Sequence, residues 1–169
     1  IHPAGCYHFT QSQTLGTING DDEPQNPITQ DMPQSRFDFY IRSGMMCSVG
    51  FSYDLPSWPQ WCRDRLKEHV AFFRSISKKY ILQGGMYRLT GQAKRYGQGD
   101  RFQAYEFLAK DGSAYLFLYQ LKGAQGRRQI FLKGLQPHVT YQLRYTDQGL
   151  VQTRTGAQLM EEGIWFGSG

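Results

Sequence analysis

The sequence predicts an α+β chain in two parts: a strand–helix unit of the α/β kind, then an antiparallel β-sandwich. Three observations carry this. Residues 57–85 (SWPQWCRDRLKEHVAFFRSISKKYILQGG) are the one long segment with a helical period. A continuous apolar run, MMCSVGF at 45–51, stands just before it. After Gly85 the period drops to two, and at least five short strands follow at close spacing. The first part is drawn as residues 1–84 and the second as 85–169.

Residues 1–40 have little periodicity. Within them, 16–35 (GTINGDDEPQNPITQDMPQS) reads as one long polar loop built of turn formers. Loops of that length belong to functional or mobile segments. The stretch 37–41 (FDFYI) is short, apolar and partly alternating, and 45–51 is apolar throughout; both are expected as strands. A strand apolar on both faces suits a parallel sheet covered by helices, and the following helix completes an α/β unit. In that helix Trp58, Cys62, Leu66, Val70, Phe73 and Ile76 share one face. Ser57 with Gln60 reads as a capping box, Pro59 is tolerated in the first turn, and Gly84-Gly85 closes the segment. Arg63, Asp64, Lys67, Glu68 and Arg74 form the opposite, solvated face.

In the second part, 86–90 is a short strand. Strands at 102–108 (FQAYEFL) and 113–121 (SAYLFLYQL) flank the turn Lys110-Asp111-Gly112. Tyr115, Phe117, Tyr119 and Leu121 share one face and Leu116 and Leu118 the other, so this strand lies between layers. A second hairpin is expected from 128–133 (RQIFLK) and 138–145 (HVTYQLRY) around Gly134-Leu135-Gln136-Pro137. Asp147-Gln148-Gly149 turns the chain again, 157–162 is a helical turn, and 164–166 is a last strand.

The totals exclude several classes. Of 169 residues, 40% are apolar, with eleven Tyr, eleven Phe and three Trp, which is enough for a core and argues against disorder. No run of eighteen apolar residues exists to cross a membrane. Cys6, Cys47 and Cys62 fit neither a disulfide framework nor a zinc site and read as buried free thiols. Residues 1–56 hold two Arg against six Asp and Glu, a balance of −4; residues 57–169 hold seventeen basic against eight acidic, +9. The basic residues are spread among turns and alternate positions, and no nucleic-acid signature accompanies them, so no nucleic-acid partner is expected. The start IHPAGCYHF has neither an initiator Met nor the layout of a signal peptide, and reads as that of a processed or excised piece. The expected compartment is cytoplasmic or, after loss of an upstream signal peptide, periplasmic or secreted.

Five stretches in register carry a resemblance: RSGMMCSVGFSYDL (42–55), EHVAFFRSISKKYILQGGMYRL (68–89), FQAYEFLAKDGSAYLFLYQL (102–121), FLKGLQPHVTYQLRYTDQG (131–149) and TGAQLMEEGIWF (155–166). Together they resemble the C-terminal third of the family 36 glycoside hydrolases, the α-galactosidase or melibiase group, over about residues 40–166. Residues 1–39 match poorly, and the acidic insertion at 19–35 departs from the family.

The resemblance implies the last strand or strands and helix of a (β/α)8 barrel followed by an antiparallel β-sandwich domain. It also implies a retaining mechanism, with an Asp nucleophile and an Asp acid/base about 5 Å apart on earlier barrel strands. The Lys-aromatic-Asp nucleophile motif is absent from this chain, and the acid/base would lie just upstream of Ile1. The expectation is therefore a C-terminal portion that supports the barrel and assembly, without catalytic residues of its own. Its partners would be the rest of the barrel, an α-galactoside in the full-length enzyme, and other copies through self-association. The alternative is a stand-alone carbohydrate-binding or structural β-sandwich module. No cofactor or metal is expected.

On that resemblance Cys6, Tyr7, His8 and Asp54 are candidates for lining a sugar site. Cys6, Tyr7 and His8 would lie in a loop at the barrel's open face, and Asp54 follows the last strand, where barrels place functional groups. Asp54 equally suits a cap for the turn into the helix. Cys6 and His8 lack the third group that nucleophilic catalysis needs. Asp21, Asp22 and Glu23 lack alternating ligand spacing and read as a solvated loop. His69 and His138 read as structural, and Trp58 and Trp61 as packing residues.

Overall fold

The computed structural model describes residues 7–10, 28–46, 49–52, 54–92, 94 and 98–167. They fall into two compact units, one running to Leu82 with 94–98 added, the other from Gln83 to Ala93 and from Gly99 onward. The architecture is α+β, with antiparallel pairing throughout the second unit and a parallel pair in the first.

In the first unit, strand β1 (Tyr7–Thr10) pairs in parallel with β2 (Val49–Ser52), matching Tyr7 to Val49 and Thr10 to Ser52. Parallel neighbours require a crossover connection, and helix α1 (Gln34–Gly44) lies in the chain between them. This corrects the expected strand at 37–41. Phe37, Tyr40, Ile41, Gly44 and Met45 are buried at steps of three, one, three and one, a helical stripe that a five-residue window mimics as alternation. The helix also takes Gln34 and Ser35 from the expected loop, of which 16–27 lies outside the described residues. Of the apolar run 45–51, Met45 ends α1 and is 1% exposed, and only the last residues enter β2. Cys47 lies outside the described residues.

After β2, Leu55–Ser57 makes a 3-10 turn and α2 spans Gln60–Ile76, followed by a π-helical turn at Ser77–Leu82. No capping box forms at Ser57. Its hydroxyl instead donates to the Asp54 carbonyl at 2.7 Å, and Pro59 occupies the N-cap without a side-chain bond. The buried face of α2 is Cys62, Leu66, His69 and Ile76, with Trp58 buried just ahead of it. Steps of four overshoot a 3.6-residue turn, so the face moves to His69, and Val70 is only half-buried.

The second unit is built on a three-stranded antiparallel sheet, β3 (Gly85–Arg88), β4 (Phe102–Leu108) and β5 (Ala114–Gln120). The β4–β5 turn closes with Ala109 N–H on Ser113 O at 2.8 Å, and the Asp111 carboxylate accepts the Ser113 amide. One face carries Phe107, Phe117 and Tyr119; Phe107 meets Phe117 edge-on at 5.7 Å and Phe117 stacks on Tyr119 at 6.3 Å. The other face presents Ala104, Leu116 and Leu118 to a cluster of Ile130, Leu132, Leu135, Leu159 and Ile164. Burying each such leucine contributes about 2 kcal/mol.

The expected hairpin of 128–133 with 138–145 does not form. Strand β6 (Arg128–Ile130) pairs with β9 (Ile164–Phe166), and β7 (Thr140–Tyr145) pairs with β8 (Leu150–Thr155). The loop 131–137 leaves the sheet because Leu132 and Leu135 turn inward as core residues, 5% exposed each. Between β8 and β9, α3 (Gly156–Glu161) is capped by Thr155 and Gln158, each side chain accepting the other's backbone N–H.

The close of α3 gives a testable contrast. Gly163 has φ 63° and a Cβ there would stand 2.4 Å from the Ile130 carbonyl oxygen; Gly149 also has φ 63° but open space around it. Gly149→Ala should cost about 1 kcal/mol, the left-handed penalty alone, whereas Gly163→Ala should cost at least about 3 kcal/mol. Urea unfolding of the two variants measures the difference.

Candidate functional site

Two places in the first unit gather polar side chains. The first is the end of the parallel pair. Because Thr10 is matched to Ser52, β1 and β2 finish at the same edge, and Asp54 follows β2 by two residues. Asp54 is exposed, and its backbone carbonyl rather than its carboxylate holds the next turn, accepting the Ser57 amide at 3.1 Å. The carboxylate is therefore spared from capping. Tyr7 and His8 open β1, at the opposite end from Asp54, and are paired with Val49 and Gly50. Cys6, Asp21, Asp22 and Glu23 lie outside the described residues.

The second place is between α1 and α2. Asp38 on α1 faces Arg65 and His69, which are one turn apart on α2. Arg65 Nε donates to Asp38 Oδ1 and Arg65 Nη2 to Asp38 Oδ2, both at 2.7 Å, a two-pronged ion pair. His69 Nε2 lies 2.7 Å from the same Oδ1. Phe37 stands beside this group, edge-on to Trp58 at 5.8 Å and to Trp61 at 5.5 Å. Trp61 in turn donates its indole N–H to the Gln30 carbonyl. Both tryptophans thus pack as the sequence implied.

Burial opposes charge on Asp38, but the hydrogen bonds from Arg65 and His69 outweigh it and hold the carboxyl below its ordinary range. Burial also lowers His69, against the pull of Asp38, so the imidazole is neutral. An ionised carboxylate only accepts, which assigns the proton to Nε2. The Asp38 hydrogen bonds raise Arg65, so its charge is permanent. Cys62, two turns before His69 on the same buried face of α2, is fully buried and its thiol is pushed up to about 11 by desolvation, so it is no nucleophile at neutral pH. A carboxylate neutralised by arginine beside a histidine 3% exposed is a tie between helices, not a reacting centre. Among the described residues no group of three His, Cys, Asp or Glu could hold a metal. The sequence carried one signal for this tie, the four-residue spacing of Arg65 and His69; Asp38 was hidden by its placement in an expected strand.

Comparison with protein-family profiles and with curated protein sequences gives no match. Comparison with solved structures does. The α-galactosidase from Lactobacillus brevis matches over 96% of this chain and 19% of its own, with TM-score 0.67 and 17% identity. The family 36 α-galactosidase AgaB from Geobacillus stearothermophilus matches over 96% of this chain and 20% of its own, with TM-score 0.65 and 17% identity. The galactosidase domain of the α-galactosidase-sucrose kinase AgaSK matches with the same coverage and TM-score at 16% identity.

The tie between the helices sets a prediction. Asp38→Ala takes the acceptor from the buried His69 N–H and two hydrogen bonds from Arg65, which keeps Glu68, and should destabilise the first unit by about 2 kcal/mol, read by urea unfolding. His69 and Asp38 both have lowered values, so the unfolded chain binds protons first as pH falls. Stability should therefore drop below the ordinary histidine value of 6.5, and again below 3.8. His69→Gln should remove the upper step and leave the lower one.

In fold, then, the chain is similar to a C-terminal part of the family 36 α-galactosidases and spans about one-fifth of the solved chains it matches.

Proposed function

We propose that this chain is the C-terminal portion of a retaining α-galactosidase-like glycoside hydrolase, supporting the barrel and its assembly and not catalytic alone. The observation that carries the reading is the match of 96% of the chain to enzymes of that activity. The first unit corresponds in this reading to the last strands and helix of a (β/α)8 barrel. The parallel β1–β2 pair with α2 following β2 supports that assignment. The second unit, with its sheet packed on the β6–β9 and β7–β8 ribbons, is the β-sandwich that buttresses the barrel. The boundary between the two parts falls near residue 84.

Retaining hydrolysis needs two carboxylates about 5 Å apart. Asp54, exposed and free of a capping bond, is proposed to bind sugar rather than to react with it. Barrel chemistry gathers at the C-terminal ends of strands, which favours Asp54 over Tyr7 and His8 at the start of β1. The partners proposed are the rest of the barrel, an α-galactoside and, for an isolated chain, other copies. Leu82, Met86 and Trp165, each more than half exposed, would drive that association.

The coding sequence upstream of Ile1 tests the proposal. An open frame running through a Lys-aromatic-Asp and a second Asp supports it; a stop codon close upstream overturns it and leaves the stand-alone binding module, to be tested by galactoside titration. The isolated chain should release nothing from an aryl α-galactoside and should sediment with a concentration-dependent mass. In the enzyme that contains this chain, Asp54→Ala should lower kcat/KM on an α-galactoside about tenfold or more, the worth of a charged hydrogen bond, with the melting temperature unchanged.

A further inference from the structure

Glu106 is the most buried carboxyl among the described residues, with no solvent exposure. It sits on β4 between Ala104 and Leu108 on the apolar face of the sheet, opposite Leu116 of β5. Its Oε2 accepts the backbone N–H of Lys133 at 2.7 Å, and its Oε1 has no hydrogen-bond partner. That single bond reaches from the central strand to the loop 131–137, whose Leu132 and Leu135 are core residues. The loop is otherwise pinned at its ends: Leu132 N–H donates to the Leu159 carbonyl at 3.2 Å, Gln136 N–H to the Tyr141 phenol at 3.0 Å, and the Gln136 and Pro137 carbonyls accept from Val139 and Ala157.

We propose that Glu106 is a proton-controlled latch: carrying its proton it holds the loop 131–137 on the sheet, and losing the proton frees that loop. The physical reason is the mismatch between one hydrogen bond and a full charge. A neutral carboxyl on an apolar face leaves one oxygen unbonded, a modest cost, whereas an anion there loses its hydration with only one amide in return. The Lys133 ammonium, on an exposed side chain, compensates only weakly. On this face of the sheet the other titratable group is Tyr87, the register partner of Glu106 on β3. From the elements packed against the face come Tyr141 of β7, already bonded to Gln136, and Lys133, whose side chain is exposed. Arg128 of β6 is paired with Asp100, and Arg154 of β8 with Glu162. β9 and α3 present Ile164 and Leu159.

Burial accordingly pushes the Glu106 carboxyl up to about 7, against weaker lowering by the Lys133 amide and charge. The linkage follows directly. The packed loop binds the proton more tightly than the opened one, so packing is strongest below the ordinary value of 4.5 and weakens as pH rises through 7. Near neutral pH the carboxyl of the packed loop is thus half protonated, and release of the loop would expose Leu132 and Leu135.

Site-resolved amide hydrogen exchange on the full chain tests this, with rates corrected for intrinsic pH dependence. If opening hydrates the carboxyl, protection at Leu132, Lys133 and Leu135 should fall about thirtyfold between pH 5.5 and 8.5. Glu106→Gln keeps an acceptor for Lys133 but cannot titrate, so its protection should be flat over that range. Parallel loss of protection in both proteins would overturn the proposal. A carbon-13 titration of the wild-type carboxyl gives an independent reading should the variant fail to fold. A midpoint near 7 supports the latch, and one near 4.5 overturns it.

Discussion

Two-sided burial of the β4–β5 hairpin is the constraint on which the second unit depends. Its aromatic face closes through Phe107, Phe117 and Tyr119, and its aliphatic face closes on the cluster around Leu132, Leu135 and Leu159. A strand pair covered on both sides cannot slip by one residue, because the slip would exchange the two faces. The tight turn at Lys110-Asp111-Gly112 sets the same register from the other end, with Gly112 at φ 84°. Packing and turn chemistry agree here, and the remaining strands are placed by what they can cover. β6 and β9 supply Ile130 and Ile164, while β7 supplies Tyr141 and Leu143.

That logic explains which parts of the sequence could be read directly. The β4–β5 hairpin was legible because its two strands are neighbours in sequence with a three-residue turn of the right composition. The pairing of β6 with β9 was not, since thirty-odd residues separate them and no local pattern marks the partner. The segment 131–137 looked like a hairpin turn because Gly and Pro flank Leu135, yet Leu135 is there to fill the core. Helix α1 was misread for a different reason: FDFYI alternates over five residues, and only the wider spacing from Phe37 to Met45 reveals a turn of helix. At the candidate site, the sequence placed Asp54 just after a strand, and it follows β2 there, while its carbonyl, not its carboxylate, does the capping. No residue pattern flags Glu106, because both faces of its strand are apolar.

The two buried carboxyls show how the same desolvation is resolved in opposite ways. Asp38 meets a guanidinium with two hydrogen bonds and an imidazole N–H, enough donors to keep it charged. Glu106 meets one backbone amide, which is not enough. The difference lies in the elements that surround them. α2 offers a guanidinium and an imidazole N–H at four-residue spacing toward α1, whereas the groups around Glu106 offer it one hydrogen bond, from a loop amide. Charge can be held between two amphipathic helices because their flanks reach solvent. Between two layers of sheet it has no such outlet.

These opposite solutions give the two units opposite responses to protons. Asp38 and His69 have values lowered by folding, so the first unit gains stability as pH rises. Glu106 has a value raised by folding, so the second unit loses it over part of the same range. The response of either unit is set by a single local shortage or surplus of hydrogen-bond donors, not by the net charge of the chain. A basic total of +5 would suggest the reverse for the second unit, where raising pH relieves positive self-repulsion. The buried carboxyl outweighs that diffuse effect because surface charges are screened over about 10 Å of salt water, while a carboxylate inside the core is not.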